Sequence, residues 1–377
     1  MKKILYIHDL HFYCHGETYY TSSNMPDVYF DRFFDAADCE VFIFSRLINL
    51  SCKSELPQGY HEIENKRIKI SNLSPSRYLD MFSPIKLWRL IIAFKEYDLL
   101  VANIPSILGM FGLLINDISK TPYSVEVAAD YDQFSSKKFG FLISYTMDPL
   151  MKYFIKKAKG ATYVSNYLKK KYICKNKVIV SSNVNIDFVV KNKVINISNG
   201  IKITFIGGLN KRKGLKTLFE SVKILKEKYN GNFVVNIIGG HADRDWNFIA
   251  KELEISNNII FHGLLSKHEI VKILDESDVY IQPSITEGIP RATIEAMSRG
   301  LPVIATNLPG FVEILDNENL VSVSSKVELA DKMREFISNE GLLKKLSEIN
   351  IQRAEDFHYE RLHEIRCNYY KKIVEEL

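Results

Sequence analysis

Residues 283–313, PSITEGIPRATIEAMSRGLPVIATNLPGFVE, read as the end of a buried strand, a turn, a helix and a second buried strand. The turn is Glu287-Gly288-Ile289-Pro290. The spacing predicts a helix over Arg291–Ser298 that stops at Gly300-Leu301-Pro302, a glycine followed by a proline. A short apolar strand, Val303–Ala305, follows. Glu287 stands just before the helix and Glu295 near its middle, eight positions on. Between them lies the helix N-terminus, whose free N–H groups and positive dipole end suit an anion, phosphate above all. A phosphate with a carboxylate on either side matches a phosphorylated sugar, whose hydroxyls need acceptors. An ordinary α/β loop with one exposed glutamate and one capping-turn glutamate has the same spacing.

A second segment upstream bears on the choice: Phe205-Ile206-Gly207-Gly208-Leu209-Asn210-Lys211-Arg212-Lys213-Gly214, between a strand over Ile201–Ile206 and a helix over Leu215–Tyr229. Small residues let backbone approach a ligand closely, and the lysine supplies a point charge for phosphate. A dinucleotide fingerprint would need a third glycine. A P-loop would need Ser or Thr after the lysine, and here Lys213 precedes the last glycine. EGIP, IEAM, GLPVIAT, Gly310 and Glu313 together resemble the C-terminal signature of glycosyltransferase family 4, and Phe205–Gly214 is similar to that family's upstream segment.

Members of that family are retaining nucleotide-sugar transferases of the GT-B fold. The resemblance implies an α/β chain of two Rossmann-like α/β/α domains facing a central cleft. It implies that Glu295 accepts from the ribose hydroxyls, and that Glu287 with the backbone of Gly288 and Ile289 holds the donor sugar. Lys213 and the helix start at Arg291, Ala292 and Thr293 should neutralise the diphosphate as it leaves, which is electrostatic stabilisation of developing charge without a metal. Gly207 and Gly208 should line the diphosphate, and Gly263-Leu264 should read the base through backbone groups. Relatives carry an arginine where Gly208 stands, so Lys211 or Arg212 is expected to supply the second charge. The donor is expected to be a UDP- or GDP-linked sugar, with no further cofactor. The acceptor is expected to be a saccharide, lipid-linked, in surface polysaccharide (O-antigen or capsule) assembly.

Outside these segments the second half shows strands at Phe233–Ile238, Ile259–Phe261, Val279–Gln282 and Leu320–Val323. Asp243-Arg244-Asp245 has the D-x-D spacing that holds a metal and nucleotide in other transferases. It sits on a polar stretch before a helix start near Trp246 and reads as an N-cap and a solvated turn. The last stretch, Arg361–Leu377, carries Leu362, Ile365, Tyr369, Ile373 and Leu377 on one helical stripe. By resemblance this helix returns to the first domain. The expected division is 1–188 with 360–377, a linker at 189–200, and a donor domain at 201–359.

In the first half, short apolar runs alternate with helical patterns, the sign of a parallel sheet with crossover helices. Strands are expected at Lys3–Ile7, Glu40–Phe44, Leu99–Val101, Tyr123–Val127, Ala161–Val164 and Lys177–Val180. Helices are expected near Val28–Ala37, Pro84–Lys95, Ser106–Ile118, Phe141–Lys157 and Asn166–Tyr172. The His8–Tyr20 stretch reads as a loop at the site mouth, and the spacing of its His8, His11 and His15 suits no metal. Relatives place a histidine after the strand that here ends at Val127. This chain has Ala128-Ala129-Asp130-Tyr131-Asp132 there, so Asp130 is the polar candidate, with a turn or capping role as the alternative.

Between Lys137 and Lys177 there are eleven lysines and one acid, Asp148, interleaved with tyrosine and phenylalanine. No RNA-binding signature accompanies them. Lysines on headgroups and aromatics at the interface suit an anionic membrane surface; a lysine-rich chain solvating one face is the alternative.

The 377 residues suggest two domains, and 46% hydrophobic with 25% charged is a globular balance. A net charge of +5 does not by itself imply nucleic acid. The apolar start ends at His8-Asp9, too soon for a signal peptide, and no long uncharged apolar window exists, so a cytoplasmic protein is expected, at the inner face of the membrane. The five cysteines have neither metal-ligand nor redox spacing. A sugar-nucleotide epimerase of the same fold, a nicotinamide dehydrogenase and a non-catalytic nucleotide-sugar binder are the rival readings.

Overall fold

The computed structural model describes residues 1–22, 25–131, 140–197 and 200–377, with 140–144 as backbone only. Asp132, Lys137, Lys138 and Phe139 lie outside the described residues, as does the side chain of Phe141. The chain divides into two compact units, Met1–Asn183 with His363–Leu377, and Val184–Leu362. Residues 184–200 therefore go with the second unit. Among the described residues no helix is long and apolar enough to cross a membrane.

The first unit runs β1 (Lys2–His15), β2 (Thr18–Ser22), α1 (Asp31–Phe34), β3 (Cys39–Asn49), β4 (Tyr60–Glu62), β5 (Ile68–Ile70), α2 (Pro84–Phe94), β6 (Leu99–Ile104), α3 (Ile107–Ser119), β7 (Tyr123–Val127), α4 (Gly140–Lys157), β8 (Gly160–Tyr163), α5 (Asn166–Lys171) and β9 (Lys177–Val180). Its parallel strands pair in the order β5-β3-β1-β6-β7-β8-β9. Strands covered on both faces need apolar side chains throughout, and β6 is buried at every position.

Two expectations are corrected here. The first strand does not end at Ile7, and His8–Tyr20 is not a loop. A register shift between Ile7 and His11 lets the polar His8-Asp9 pass, and pairing with β3 then resumes from His11 opposite Arg46 to Cys14 opposite Asn49. The chain turns at Gly16 and returns antiparallel as β2. The helix expected over Val28–Ala37 is a 3-10 turn, Asp27–Phe30, followed by the single turn of α1.

The second unit runs β10 (Ile201–Ile206), α6 (Leu215–Lys228), β11 (Phe233–Ile238), α7 (Trp246–Glu252), β12 (Ile259–Gly263), α8 (Lys267–Glu276), β13 (Val279–Gln282), α9 (Arg291–Ser298), β14 (Val303–Thr306), α10 (Pro309–Val312), β15 (Leu320–Val321), α11 (Lys326–Ile337) and α12 (Glu340–Ala354). The six strands are parallel in the order β12-β11-β10-β13-β14-β15. The apolar faces of α6 and α11 bury Leu218, Phe219, Val222, Met333 and Phe336 against β10 and β11.

The final helix, α13 (Tyr359–Val374), gives its residues from His363 onward to the first unit. There Tyr369, Tyr370 and Ile373 join the core of Tyr6, Phe33 and Val41. Beneath them the buried Glu126 carboxylate accepts from the hydroxyls of Tyr6 at 2.8 Å and Tyr370 at 2.6 Å, and faces the Arg32 guanidinium at 3.3 Å. Burial alone would raise its pKa, but Arg32 and the two hydroxyls outweigh that and hold it below the usual range. A buried charge of this kind is tolerable only because it is paired and hydrogen-bonded.

Candidate functional site

The second sheet changes winding direction between β10 and β13, since β11 and β12 lie to one side and β14 and β15 to the other. In open α/β sheets a ligand crevice opens beyond the carboxyl ends of the strands at such a switch point. The two segments singled out from sequence leave these two strands, 207–214 after β10 and 283–290 after β13. The loops touch. Gly214 has φ +76°, and a Cβ there would lie 1.8 Å from the Pro283 carbonyl oxygen, so the contact admits only glycine. Next to it Ile285 N–H donates to Arg212 O at 2.8 Å.

That contact brings Lys213 and Glu287 together. Lys213 Nζ lies 2.5 Å from Glu287 Oε2, and Arg212 Nη1 lies 3.8 Å from Oε1. Arg212, exposed at the mouth, is thus the cation beside Glu287, while Lys211 uses its backbone N–H on Asp243. At Gly208 a side chain would meet the Asn210 amide at 2.8 Å.

Behind Glu287 runs a polar line that the sequence reading missed. The Tyr280 hydroxyl donates to Gln282 Oε1 at 2.6 Å, Gln282 Nε2 donates to Ser284 Oγ at 3.1 Å, and the Ser284 hydroxyl donates to Glu287 Oε2 at 3.1 Å. All three are buried. Burial, with the charges of Glu295 and Glu287 nearby, keeps the Tyr280 hydroxyl protonated. The available signal was period two: in Tyr280-Ile281-Gln282-Pro283-Ser284 the polar groups fall on alternate positions and so on one face of the strand.

Helix α9 starts beyond the turn. Its cap position is Pro290, and among the described residues no side-chain cap is made to its first N–H groups. Arg291 is exposed, Ala292 half-buried and Thr293 buried. Gly288 is exposed, with open space where a side chain would be, and Ile289 is half-buried beside it. Glu295 faces outward from the second turn, half-buried. Burial pushes its carboxyl above the ordinary carboxylate range, and Arg291 and Lys267 offset this only in part. Among the described residues no side chain hydrogen-bonds its carboxylate, which leaves both oxygens available to accept.

The neighbouring strand ends complete the rim. Gly207 N–H donates to Ile238 O at 2.9 Å, Leu209 N–H to Gly240 O at 2.9 Å and Gly239 N–H to Gly263 O at 2.8 Å, which laces together the loops after β10, β11 and β12. Leu264 is exposed at the edge of this group. The D-x-D triplet is occupied by its own fold. Asp243 accepts from Lys211 N–H at 2.7 Å, and Asp245 caps α7 by accepting from Phe248 N–H at 3.0 Å.

The first unit holds Asp130. Its carboxylate accepts from Tyr167 OH at 2.9 Å, Tyr172 OH at 2.6 Å and the Tyr131 N–H at 2.7 Å, and pairs with Lys171 Nζ at 2.5 Å. Desolvation opposes its charge, and these donors more than compensate, holding its pKa below the usual range. In that unit His8 stacks on Tyr6 and accepts from Leu10 N–H at 3.0 Å. Burial holds the imidazole neutral, its pKa down at about 4. Among the described residues the group whose ligand-type atoms lie close enough to share an ion is Asp35, His363 and Cys367, away from the three histidines of β1.

Comparison with known proteins fits this geometry. The family profile described as glycosyl transferases group 1 matches residues 189–353, which include both loops and α9. Protein CapJ of Staphylococcus aureus is 30% identical over 99% of this chain and 97% of its own length. The N,N'-diacetylbacillosaminyl-diphospho-undecaprenol alpha-1,3-N-acetylgalactosaminyltransferase of Campylobacter jejuni is 27% identical over 58% of this chain and 64% of its own. Among solved structures, the lipopolysaccharide outer core galactosyltransferase WaaB in its apo form superposes with a TM-score of 0.70, at 17% identity, over the whole of both chains. At that identity the likeness concerns the fold, that of the GT-B glycosyltransferases.

Proposed function

The chain belongs to the group 1 glycosyl transferases, and from that premise we propose that it moves a sugar, with retention, from a UDP- or GDP-linked donor to a lipid-linked saccharide in surface polysaccharide assembly. The observation that carries the site assignment is the convergence, at one switch point, of the Lys213–Glu287 pair and the uncapped start of α9. The lipid-linked acceptor rests on the diphospho-undecaprenol substrate in the name of the Campylobacter relative.

In this reading the diphosphate lies over the start of α9 and draws Lys213 away from Glu287, with Arg212 or Arg291 as the second cation. Glu287, released from its lysine, accepts from the hydroxyls of the donor sugar, and Glu295 accepts from the ribose. The bond from the anomeric carbon to the phosphate oxygen breaks. The acceptor oxygen bonds to the same carbon on the same face, and its proton passes to the departing phosphate oxygen. Lys213 and the helix dipole stabilise the charge on the leaving group. No metal takes part, which agrees with the engagement of Asp243 and Asp245 in the fold. Asp130 holds Tyr131 and the Tyr167–Tyr172 turn of the acceptor unit in place. The basic, aromatic stretch 137–177 adds a peripheral contact with an anionic membrane at its cytoplasmic face.

The test is a panel of UDP-, GDP-, ADP- and dTDP-sugars with a polyprenyl-diphosphate-linked saccharide and EDTA, read as release of nucleoside diphosphate and product anomer. Release from one donor with an α-configured product is expected, and it should be lost in Glu287→Ala. Activity that EDTA abolishes and Mg2+ restores would overturn the metal-free step. A free, altered sugar nucleotide would mark an epimerase instead.

A further inference from the structure

Helix α2, PIKLWRLIIAF, is apolar over most of its circumference, with Lys86 and Arg89 confined to one side. Only one side is buried: Leu90 and Phe94 reach the core, with Leu87 and Ile91 against it. The opposite side presents Ile85, Trp88 and Ile92 to solvent at helical spacing, and Trp88 is 63% exposed. The 3-10 turn before α2, Tyr78–Phe82, adds Leu79 and Phe82, which are 80% and 63% exposed. Phe82 meets Phe111 of α3 edge-on at 6.0 Å. One and two turns further along α3, Leu114 and Ile118 are exposed. Beyond them an open groove of about 590 Å³ between α3 and α4 is lined by Leu114, Tyr145, Pro149, Leu150, Tyr153 and Phe154. The apolar surface therefore continues across three helices, more than scattered exposed side chains would give.

The charges around it are mainly positive. From Asp80 to Glu96 the chain carries Lys86, Arg89 and Lys95, all exposed, against the two acids at its ends, of which Asp80 accepts from the Arg77 N–H at 2.9 Å. On α3 Asp117 is held by Lys120 and Lys157, both at 3.3 Å. On α4 Asp148 is held by Lys152 at 2.6 Å and Lys156 stands exposed, as does Lys159 just past the helix end.

We infer that the face of the 3-10 turn Tyr78–Phe82, α2 and α3 docks on an anionic lipid bilayer, with Phe82, Ile85 and Trp88 entering the headgroup boundary and Lys86 and Arg89 of α2 and the lysines of α4 lying on the lipid charges. A tryptophan and tyrosines at the rim of an aliphatic patch, bordered by an excess of cations, match that interface in both polarity and sign. The inference deepens the membrane contact proposed above and rests on that part of the reading. It moves the apolar part of the contact upstream of the 137–177 stretch and limits that stretch's share of the charge to the lysines of α4, leaving those of α5 out of the contact.

The chain carries its own probe. It has two tryptophans, Trp88 exposed and Trp246 3% exposed in the second unit. Added to vesicles of equal parts phosphatidylcholine and phosphatidylglycerol, the protein should show a blue-shifted emission that brominated acyl chains quench. Phosphatidylcholine vesicles alone should give little of either. In vesicle sedimentation, Phe82→Ser/Trp88→Ser should bind about tenfold more weakly, with unchanged circular dichroism. Lys86→Gln/Arg89→Gln should lose roughly fivefold per charge, whereas Lys169→Gln/Lys170→Gln on α5 should bind as the parent does.

An unshifted emission, or equal binding by Phe82→Ser/Trp88→Ser, would overturn the inference. So would loss of binding through Lys169 and Lys170 alone. A blue shift that follows protein concentration without lipid, with a dimer mass in sedimentation velocity, would assign the face to a second copy instead. These measurements use neither donor nor acceptor, so their failure leaves the transferase reading standing.

Discussion

Lys213 Nζ and Glu287 Oε2 lie 2.5 Å apart although 74 positions separate them in the chain. The pair is formed by two loops that meet through the backbone at Gly214 and Pro283, and both side chains are largely shielded from water. Each charge holds the other in place before any ligand arrives. In the proposed reading a diphosphate competes with a carboxylate for the lysine, and the carboxylate it displaces becomes free for sugar hydroxyls.

Replacing Lys213 by Ala should weaken binding of a nucleoside diphosphate by about 1.5–3 kcal/mol, as loss of a hydrogen bond to a charged group does. Binding of the bare nucleoside should change little. Titration calorimetry on both ligands decides it, and equal losses would place the lysine away from the diphosphate.

Glu295→Ala should weaken donor binding by about 1.5–3 kcal/mol, and a 2′,3′-dideoxy donor should show no further loss in the mutant. Because, among the described residues, no side chain holds the Glu295 carboxylate, the fold should lose little stability. Unchanged affinity in the folded variant would remove Glu295 from the ribose.

Gly214 and Gly263 have nearly the same backbone, φ +76° and +71°, but different surroundings. A Cβ at Gly214 would lie 1.8 Å from a carbonyl oxygen, and at Gly263 it would meet nothing within 4 Å. Gly263→Ala should cost about 1 kcal/mol for the left-handed conformation alone, and Gly214→Ala about 3 kcal/mol or more. Urea unfolding of the two variants tests the difference, and equal midpoints would mean that the loops do not meet as described.

His8 should make stability depend on pH. Burial holds its pKa at about 4, below the ordinary 6.5, with Glu126 pulling it up and Arg32 pushing it down. Between those values the unfolded chain binds a proton that the folded chain does not, so stability falls as pH drops from 6.5 towards 4. The loss is at most about 3 kcal/mol. Urea midpoints near neutrality and at about pH 5 should fall less in His8→Asn than in the parent, and an equal fall would show that His8 protonates without penalty.

What the sequence made legible was local. Ile201–Ile206, Phe233–Ile238, Val279–Gln282 and Arg291–Ser298 fold within the bounds read from their residues, because buried parallel strands are continuous apolar runs and α9 has a turn before it and a glycine after it. The eight-residue spacing of Glu287 and Glu295 was also local. What stayed hidden depends on partners distant in the chain. His8-Asp9 looks like the end of a strand, and β1 continues past it only because β3 offers a second register. Ser284 looks like a loop serine until Gln282 and Glu287 are seen on either side of it. Asp130 looks like an open carboxylate until Tyr167, Lys171 and Tyr172 close around it from 37 to 42 positions away.

The last helix sets an order of synthesis. The first unit's core takes in Tyr369, Tyr370 and Ile373, and its buried Glu126 is satisfied in part by the Tyr370 hydroxyl. While the ribosome is still adding residues, every strand of that unit has emerged, but the hydroxyl that one of its buried charges requires has not. The second unit, Val184–Leu362, has all of its residues before that point. The second unit can thus be completed without residues 363–377, whereas the first cannot, and a chain ended at Leu362 would carry a finished second unit and an open first one.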